Sequence, residues 1–422
     1  MELKPGYKQT EVGVIPEDWE VKALKEISPR QSVGLVINPS TYFDPNESIP
    51  MLVGSSVTEN RIDAEAANRI SAASNFKLAA SRLTQGDLVT VRVGDPGVTA
   101  VVPPELDQCN CASMMIVRQD RSFNSHWLCS TMNSRHGRQQ VENVQYGTAQ
   151  KQFNIKDAVN FVYAVPPLQE QNQIATVLSE VELLLINLEQ VITKKHNIKQ
   201  TAMQELLTGK RRLPGFEGEW EVKRLGEIGK CHRGVSYKGE ADLMPHDTAN
   251  TIRLLRSNNV QDSFVKTAEL KHVNSKRVAT HQILTRDDIV ICMANGSKAL
   301  VGKAGRFQVS DGYEYTFGAF MGCFRTIPAK ADPGFAFYLL QTDRYQRLIG
   351  DLLAGSSINN LKPSSVESLE FLFPERSEQQ AIVAVLSDID AELTYLAHRR
   401  DSIQEIKRGM MQQLLTGKIR LR

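Results

Sequence analysis

The 422-residue sequence has no run of about 18 apolar residues, so no segment is expected to span a membrane as a helix. Its opening, MELKPGYKQTEVGVIPEDW, lacks the basic start and apolar core of a signal peptide, and a cytoplasmic protein is the expectation. Cysteine is scarce: there are six, scattered along the chain. Cys109 and Cys111 form a lone C-x-C with no second pair at metal-ligand spacing, which points to free thiols in a reducing compartment rather than a zinc site. Charge of one sign is also missing. Fifty Lys and Arg stand against 48 Asp and Glu, giving a formal charge of +2, a balance that does not by itself argue for a nucleic-acid partner.

Catalytic motifs are absent as well. The only Pro-Pro pairs lie in VPPEL (102–106) and VPPLQ (165–169). Neither has the preceding Asp or Asn and following aromatic that amino-methylation of a base requires. No G-x-G-x-x-G follows a strand pattern, and TGKRR (208–212) lacks the upstream glycine and the Ser or Thr of a phosphate-binding loop. The eight histidines form no H-E-x-x-H pair. PEDWEVK (16–22) offers acids beside a lysine, as some metal nucleases do. Its counterpart EGEWEVK (217–223) keeps the tryptophan and the strand pattern instead, which assigns Trp19 and Trp220 a buried structural role. These are the features of a binding and positioning protein.

What is present is a duplication. QELLTGKRRL (204–213) returns as QQLLTGKIRL (412–421). At the same spacing of 208 residues Gly147 meets Gly355, Pro166 meets Pro374, Glu170-Gln171 meet Glu378-Gln379, and Leu178-Ser179 meet Leu386-Ser387. Upstream the spacing falls to 201, where WEVKALKEI (19–27) matches WEVKRLGEI (220–228) and GDLV (86–89) matches DDIV (287–290). The second copy is therefore about seven residues longer, mostly between the GDLV region and the following helix. A unit of about 205 residues is too long for a solenoid repeat of roughly 20–50, so this is a duplicated domain with an expected pseudo-two-fold relation.

Each half opens with short strands punctuated by Gly, Asn, Asp and Ser, among them TIRLLR (251–256), DIVICMA (288–294) and YTFGAFMGCFRTI (315–327). One helix is expected over 335–353, matched by 126–144. A long helix then follows VPPLQEQ (165–171) and FPERSEQ (373–379), each opened by proline and acids. A 4,3 spacing picks out Ile174, Leu178, Val181, Leu185, Leu188, Ile192, Lys195, Lys199, Ala202 and Leu206. The second copy gives Ile382, Leu386, Ile389, Leu393, Leu396, Arg400, Ile403, Lys407, Met410 and Leu414. Eight of ten positions are apolar in each, which is a coiled-coil seam on a helix roughly 55–60 Å long. The first half of each helix is acidic and the second half basic. This suits each helix's own dipole and sets an antiparallel pair acid against base. The expected architecture is α+β: two pseudo-symmetric globular domains joined by two long antiparallel helices.

At this point the residues resemble a family, the specificity (S) subunits of type I restriction-modification systems. The resemblance rests on GYKQTEVGVIPEDWEVKAL (6–24), GDLV…RVG (86–94), YGTAQKQFNIKD (146–157), VPPLQEQNQIATVL (165–178) and LLTGK (206–210). The second copy adds LLRSNNV (254–260), LVGKAG (300–305), AGSSINNL (354–361) and PERSEQQAIVAVL (374–386). The motifs run over nearly the whole chain, and their repeated order around two long helices is specific. FPERSEQ departs from the usual P-P-L-x-E-Q form at the start of the second helix. The resemblance implies target recognition domains at 1–167 and 211–374 and conserved spacer helices at 168–210 and 375–422. Each domain would read one half of a split, asymmetric sequence in double-stranded DNA. The helices would dock methyltransferase (M) subunits, two by expectation, and two restriction (R) subunits would join them. The S subunit would be non-catalytic and hold no cofactor, while S-adenosylmethionine, ATP and magnesium would be bound by its partners. A two-domain coiled-coil DNA-binding or scaffold protein serving another effector is the alternative.

Base reading needs Arg for guanine and Asn or Gln for adenine, and phosphates accept from Lys, Ser, Thr or backbone NH. The aligned loops GTAQK (147–151) and GSSINN (355–360) carry Thr148, Gln150 and Lys151, and Ser356, Ser357, Asn359 and Asn360. Each loop reads either as a DNA contact or as a polar turn before the next strand. RSNNV (256–260) aligns with GSSVT (54–58) and adds Arg256, Asn258 and Asn259. Arg92, Asn295 and Lys298 complete the candidates. Similar folds with unequal polar loops are what two different half-sites require. Half-sites about one turn of B-DNA apart, roughly 34 Å, lie within reach of such a frame.

Overall fold

The computed structural model describes residues 5–261, 263–354 and 359–421. The chain divides into two compact units, Met1–Gln190 with Ala397–Arg422, and Val191–Leu396. Among the described residues no helix is long and apolar enough to cross a membrane.

In the first unit a four-stranded antiparallel sheet runs in the order Thr99–Val101, Leu88–Val91, Met114–Val117, Gln31–Val33. The central strands are buried along their whole length, so they read as continuous apolar runs rather than alternating ones. Asp87, just before Leu88, is buried, and its carboxylate takes the Arg118 Nη1 at 2.7 Å and the amides of Thr84 and Gln119 at 2.9 Å each. This is the structural work of the GDLV motif.

The second unit repeats the plan. Ala304–Arg306, Ile289–Cys292, Met321–Thr326 and Gly229–Arg233 take the same order, in a sheet extended beyond Ala304–Arg306 by Phe264–Val265 and Val260–Gln261. Asp288 pairs with Arg325 as Asp87 does with Arg118. The long run expected over 315–327 is broken. Tyr315–Phe317 and Met321–Thr326 belong to different sheets, with a turn between them. The helices expected at 126–144 and 335–353 are each broken too, into Ser125–Asn133 and Arg135–Val144, and into Pro333–Leu339 and Asp343–Ala354. The breaks fall at equivalent hydroxyl residues. Ser134 Oγ accepts from Gly137 N and donates to Thr131 O, while Thr342 Oγ1 accepts from Tyr345 N and donates to Leu339 O. Each hydroxyl caps the second helix, and this local bond wins over helix continuity.

The two long helices span Leu168–Leu206 and Arg376–Leu414, 39 residues each. The altered start at Glu375-Arg376 leaves their geometry equivalent. Gln171 and Gln379 are buried and return a side-chain NH to the carbonyls of Pro166 and Pro374 at 2.9 and 2.8 Å. Their oxygens accept from Asn124 N and Asp332 N. Every expected seam position is buried or half-buried. The helices stop at Gly209 and Gly417, whose φ values of +70° and +68° fit the left-handed closing turn that glycine adopts without strain.

The antiparallel direction appears within each unit. In the first, Glu182 in the early part of one helix pairs with Lys407 in the late part of the other. In the second, Lys199 pairs with Asp390 at 2.6 Å and Lys195 with Glu392 at 2.7 Å. The core of the first unit joins Trp19, Trp127, Tyr163 and Leu178 to Leu414 and Leu415. That of the second joins Phe335, Tyr345 and Leu386 to Leu206 and Leu207.

Candidate nucleic-acid interface

The sheets bring three distant segments of each unit to one corner. In the first unit the strand Leu88–Val91 runs out into Arg92–Pro96. Val93 bridges Gln152, Gly94 N donates to Lys151 O at 3.0 Å, and Phe153 N donates to Arg92 O at 3.3 Å. The loop 147–151 is thereby tied to the strand end. Gly147 (φ +96°) makes the turn, and a Cβ there would lie 2.3 Å from the Gln150 carbonyl oxygen. The third segment, the turn Gly54–Ser56, packs close by, since a Cβ on Gly54 would lie 3.3 Å from the Val93 carbonyl oxygen.

In the second unit the same bridge recurs between Ala294 and Asn360. Val93 and Ala294 are 201 apart, and Gln152 and Asn360 are 208 apart, the two spacings of the sequence repeat. Asn295 N donates to Asn359 O at 3.4 Å, Asn359 Nδ2 to Gly296 O at 3.3 Å, and Asn295 Nδ2 to Ser257 Oγ at 3.4 Å. The turn Ser257–Asn259, the loop after Ile289–Cys292 and the segment from Asn359 form one patch. The bonds that close the loop run between Val91 and Val98 in the first unit and between Cys292 and Lys303 in the second. Four of the residues that lengthen the second copy are inserted here.

Side-chain placement sorts the candidate residues. Thr148, Gln150 and Lys151 are exposed, and their side chains have no hydrogen-bond partner among the described residues. Asn258 and Lys298 are exposed in the same way. Arg92 is half-buried and donates Nε to Phe153 O at 3.4 Å, bracing the loop. Arg256 is half-buried, and its Nη2 donates to Glu269 O at 3.4 Å. Asn295 spends its amide on Ser257 and on Ser297 N, at 2.9 Å for the latter. Ser356 and Ser357 lie outside the described residues.

Asn259 is a correction. It is 1% exposed, its Oδ1 accepts from Arg256 N at 3.0 Å, and its Nδ2 donates to Lys266 O and Ala268 O at 3.0 and 2.8 Å. Ser56 takes the same first role, its Oγ accepting from Val53 N at 3.3 Å, so the structural match is 203 residues and the segment 256–260 pairs with 53–57, one position from the alignment with 54–58. Asn259 therefore holds the turn and cannot reach a base. A side chain with every strong site engaged inside the protein is framework.

Two residues at this corner escaped the sequence reading. Arg233 donates Nη2 to Asn360 Oδ1 at 3.1 Å and Nη1 to Leu361 O at 3.2 Å. Phe320, 67% exposed, accepts at its carbonyl from Met293 N and Ala294 N at 2.8 and 3.0 Å. An alignment anchored on Gly34 and Gly234 would have placed Arg233 opposite Val33, an unmatched charge at a strand end.

The family model described as "Type I restriction modification DNA specificity domain" matches residues 16–200 and again 217–408. The specificity subunit of the type I restriction enzyme EcoKI of Escherichia coli is 31% identical over 201 residues. That match covers 47% of this chain and 42% of the relative, so the chain spans less than half of that protein's length. The putative type I restriction enzyme MjaX specificity subunit of Methanocaldococcus jannaschii is 23% identical over 445 aligned positions, covering 99% of this chain and 97% of the other. The crystal structure of the S subunit from M. genitalium superposes with a TM-score of 0.62 at 13% identity, over 98% of each chain. At that identity the likeness is one of fold.

Proposed function

The chain belongs to the type I restriction-modification DNA specificity family, and from that premise we propose that it is the sequence-specificity subunit of a type I restriction-modification complex. It reads a bipartite, asymmetric site in double-stranded DNA and positions methyltransferase and restriction subunits on it, two of each, in the cytoplasm. One observation carries the reading. The same three-segment corner is built twice on equivalent backbone bridges, Val93 to Gln152 and Ala294 to Asn360, and is furnished with different side chains. One offers Thr148, Gln150 and Lys151, and the other Asn258, Lys298, Asn360 and Arg233. Equal frames with unequal donors and acceptors suit two unequal half-sites, because base identity is read by side chains and position by backbone and phosphate contacts.

The subunit itself is non-catalytic in this reading. S-adenosylmethionine, ATP and magnesium belong to the partner subunits, and the long helices are the frame on which those partners sit. Co-expression with the neighbouring methyltransferase, followed by long-read mapping of methylated adenines, tests it. The expected result is one motif of two short defined halves around an unspecified spacer. Absence of any methylated motif, with the chain failing to co-purify with the methyltransferase, would point to a DNA-binding scaffold for another effector.

A further inference from the structure

Phe320 stands in the turn between the strands Tyr315–Phe317 and Met321–Thr326. Its backbone is pinned: its carbonyl accepts from Met293 N and Ala294 N, and Met321 N returns to Gly318 O at 2.8 Å. The residue is 67% exposed. A large apolar side chain is thus held out on a rigid turn, at the residue pair whose Ala294 also bridges Asn360. Around it stand polar exposed side chains, Asn360, whose Nδ2 has no partner among the described residues, Lys298 and Asn258, while Ala299 and Leu300, the latter 41% exposed, lie farther along the same loop.

The juxtaposition has a chemical match in DNA. An amide side chain suits the adenine edge in the major groove, and the thymine paired with that adenine presents a C5 methyl group in the same groove, which takes apolar contact. We propose that Phe320 is a specificity-determining residue of the second unit and contacts a thymine methyl group in the half-site that unit reads. The first unit has no equivalent. Its matching position, just before Met114, which pairs with Val91 as Met321 pairs with Cys292, is Ser113. Methyl reading by this turn therefore belongs to one half-site only.

The proposal rests on the sequence-reading function above, and the experiment separates the two. The full chain is purified with its methyltransferase and bound to duplexes carrying the mapped motif or a scrambled one. Each thymine of both halves, on either strand, is replaced in turn by deoxyuridine, which removes only the methyl group. With the native chain, one replacement is expected to weaken binding about fourfold, the worth of one buried methylene-sized group. The Phe320→Ala complex should bind the native duplex more weakly by a similar factor and be indifferent to that same replacement. Phe320→Leu should keep part of the effect, which separates a lost contact from a disturbed turn. Equal binding of native duplex by Phe320→Ala, or a loss that is the same on every deoxyuridine duplex, overturns the proposal. So does a motif whose halves lack thymine on both strands, or a Phe320-dependent rise in 2-aminopurine fluorescence, the sign of a ring inserted between bases. If the native complex prefers the motif no more than the scrambled duplex, the sequence-reading function itself fails, before any variant is compared.

Discussion

Arg420 closes a bidentate ion pair on Glu170, Nε to Oε1 at 2.7 Å and Nη2 to Oε2 at 2.8 Å. The same buried carboxylate accepts from Trp19 Nε1 at 2.9 Å. In the second unit Arg212 grips Glu378 at 2.5 and 2.7 Å, and Trp220 Nε1 donates to that carboxylate at 3.2 Å. The repeated LLTGK-x-R-L therefore has a physical purpose. The glycine ends the helix and turns the chain so that the arginine meets the glutamate opening the other helix. Arg212 and Trp220 lie on one continuous segment, whereas Arg420 and Trp19 come from distant parts of the sequence and meet on one carboxylate.

Arg420→Ala should be strongly destabilising. It leaves the Glu170 carboxylate, 4% exposed, with its charge unpaired, and breaking a buried pair costs about 3–5 kcal/mol. Arg212→Ala should act alike at Glu378, which is 1% exposed. The two clusters share no residue, so their costs should add. Urea unfolding followed by tryptophan fluorescence measures this, since Trp19 and Trp220 report on the clusters directly. Losses below about 1 kcal/mol would show that the carboxylates are relieved by water.

The helix seam gives a second prediction. Glu182 and Lys407 are both largely buried, with 18% and 15% of their side chains exposed. Glu182→Lys or Lys407→Glu alone sets like charges together and should cost about 1.5–3 kcal/mol, the range for a charge-assisted bond. The exchange of both should restore most of the loss. A double-mutant cycle without coupling would contradict the pairing.

Much of this was legible in the sequence because it is periodic or local. The 4,3 seam and the acid-to-base trend along each helix need only residues close in the chain, the duplication needs only the sequence set against itself, and each survives in the structure with its register. What stayed hidden depends on distant strands meeting. Asn259 looked like a base reader because an amide in a polar loop is ambiguous. Its burial becomes visible only once the carbonyls of Lys266 and Ala268 fold back over it. Arg233 and Phe320 carry no motif, and they become neighbours of Asn360 and Ala294 through sheet pairing. The helix breaks at Ser134 and Thr342 leave little trace in the sequence, because one capping hydroxyl is a weak signal inside an apolar pattern.

The cysteines give a third prediction. All six are free and buried. Burial pushes the Cys109 thiol up to about 12, with Asp107 adding to it, and Cys231 likewise to about 12, with Glu367 adding to it. Cys292, Cys323, Cys111 and Cys129 are raised by burial as well. Since the thiolate is the reactive form, the folded chain at pH 8 should react with Ellman's reagent at none of the six within minutes. All six should react at once in denaturant. A fast-reacting thiol in the folded chain would identify a unit that opens locally.

The exposed loop of the first unit allows phosphate and base contacts to be told apart. Lys151 and Gln150 are adjacent, exposed and without side-chain partners among the described residues, so neither substitution should disturb the fold. If Lys151 meets a phosphate, Lys151→Ala weakens binding to every sequence alike and lowers the slope of log K against log salt by about 0.9, the counterion share of one contact on B-DNA. If Gln150 meets an adenine edge, Gln150→Ala leaves that slope unchanged and loses about 1–3 kcal/mol of discrimination at one base pair. The mapped methylation motif should then relax at a single position of one half-site while the other half stays intact. Binding isotherms at several salt concentrations, paired with methylation maps of both variants, decide each assignment separately. A Gln150→Ala motif relaxed in both halves at once would mean that the loop acts on the whole complex rather than on one base.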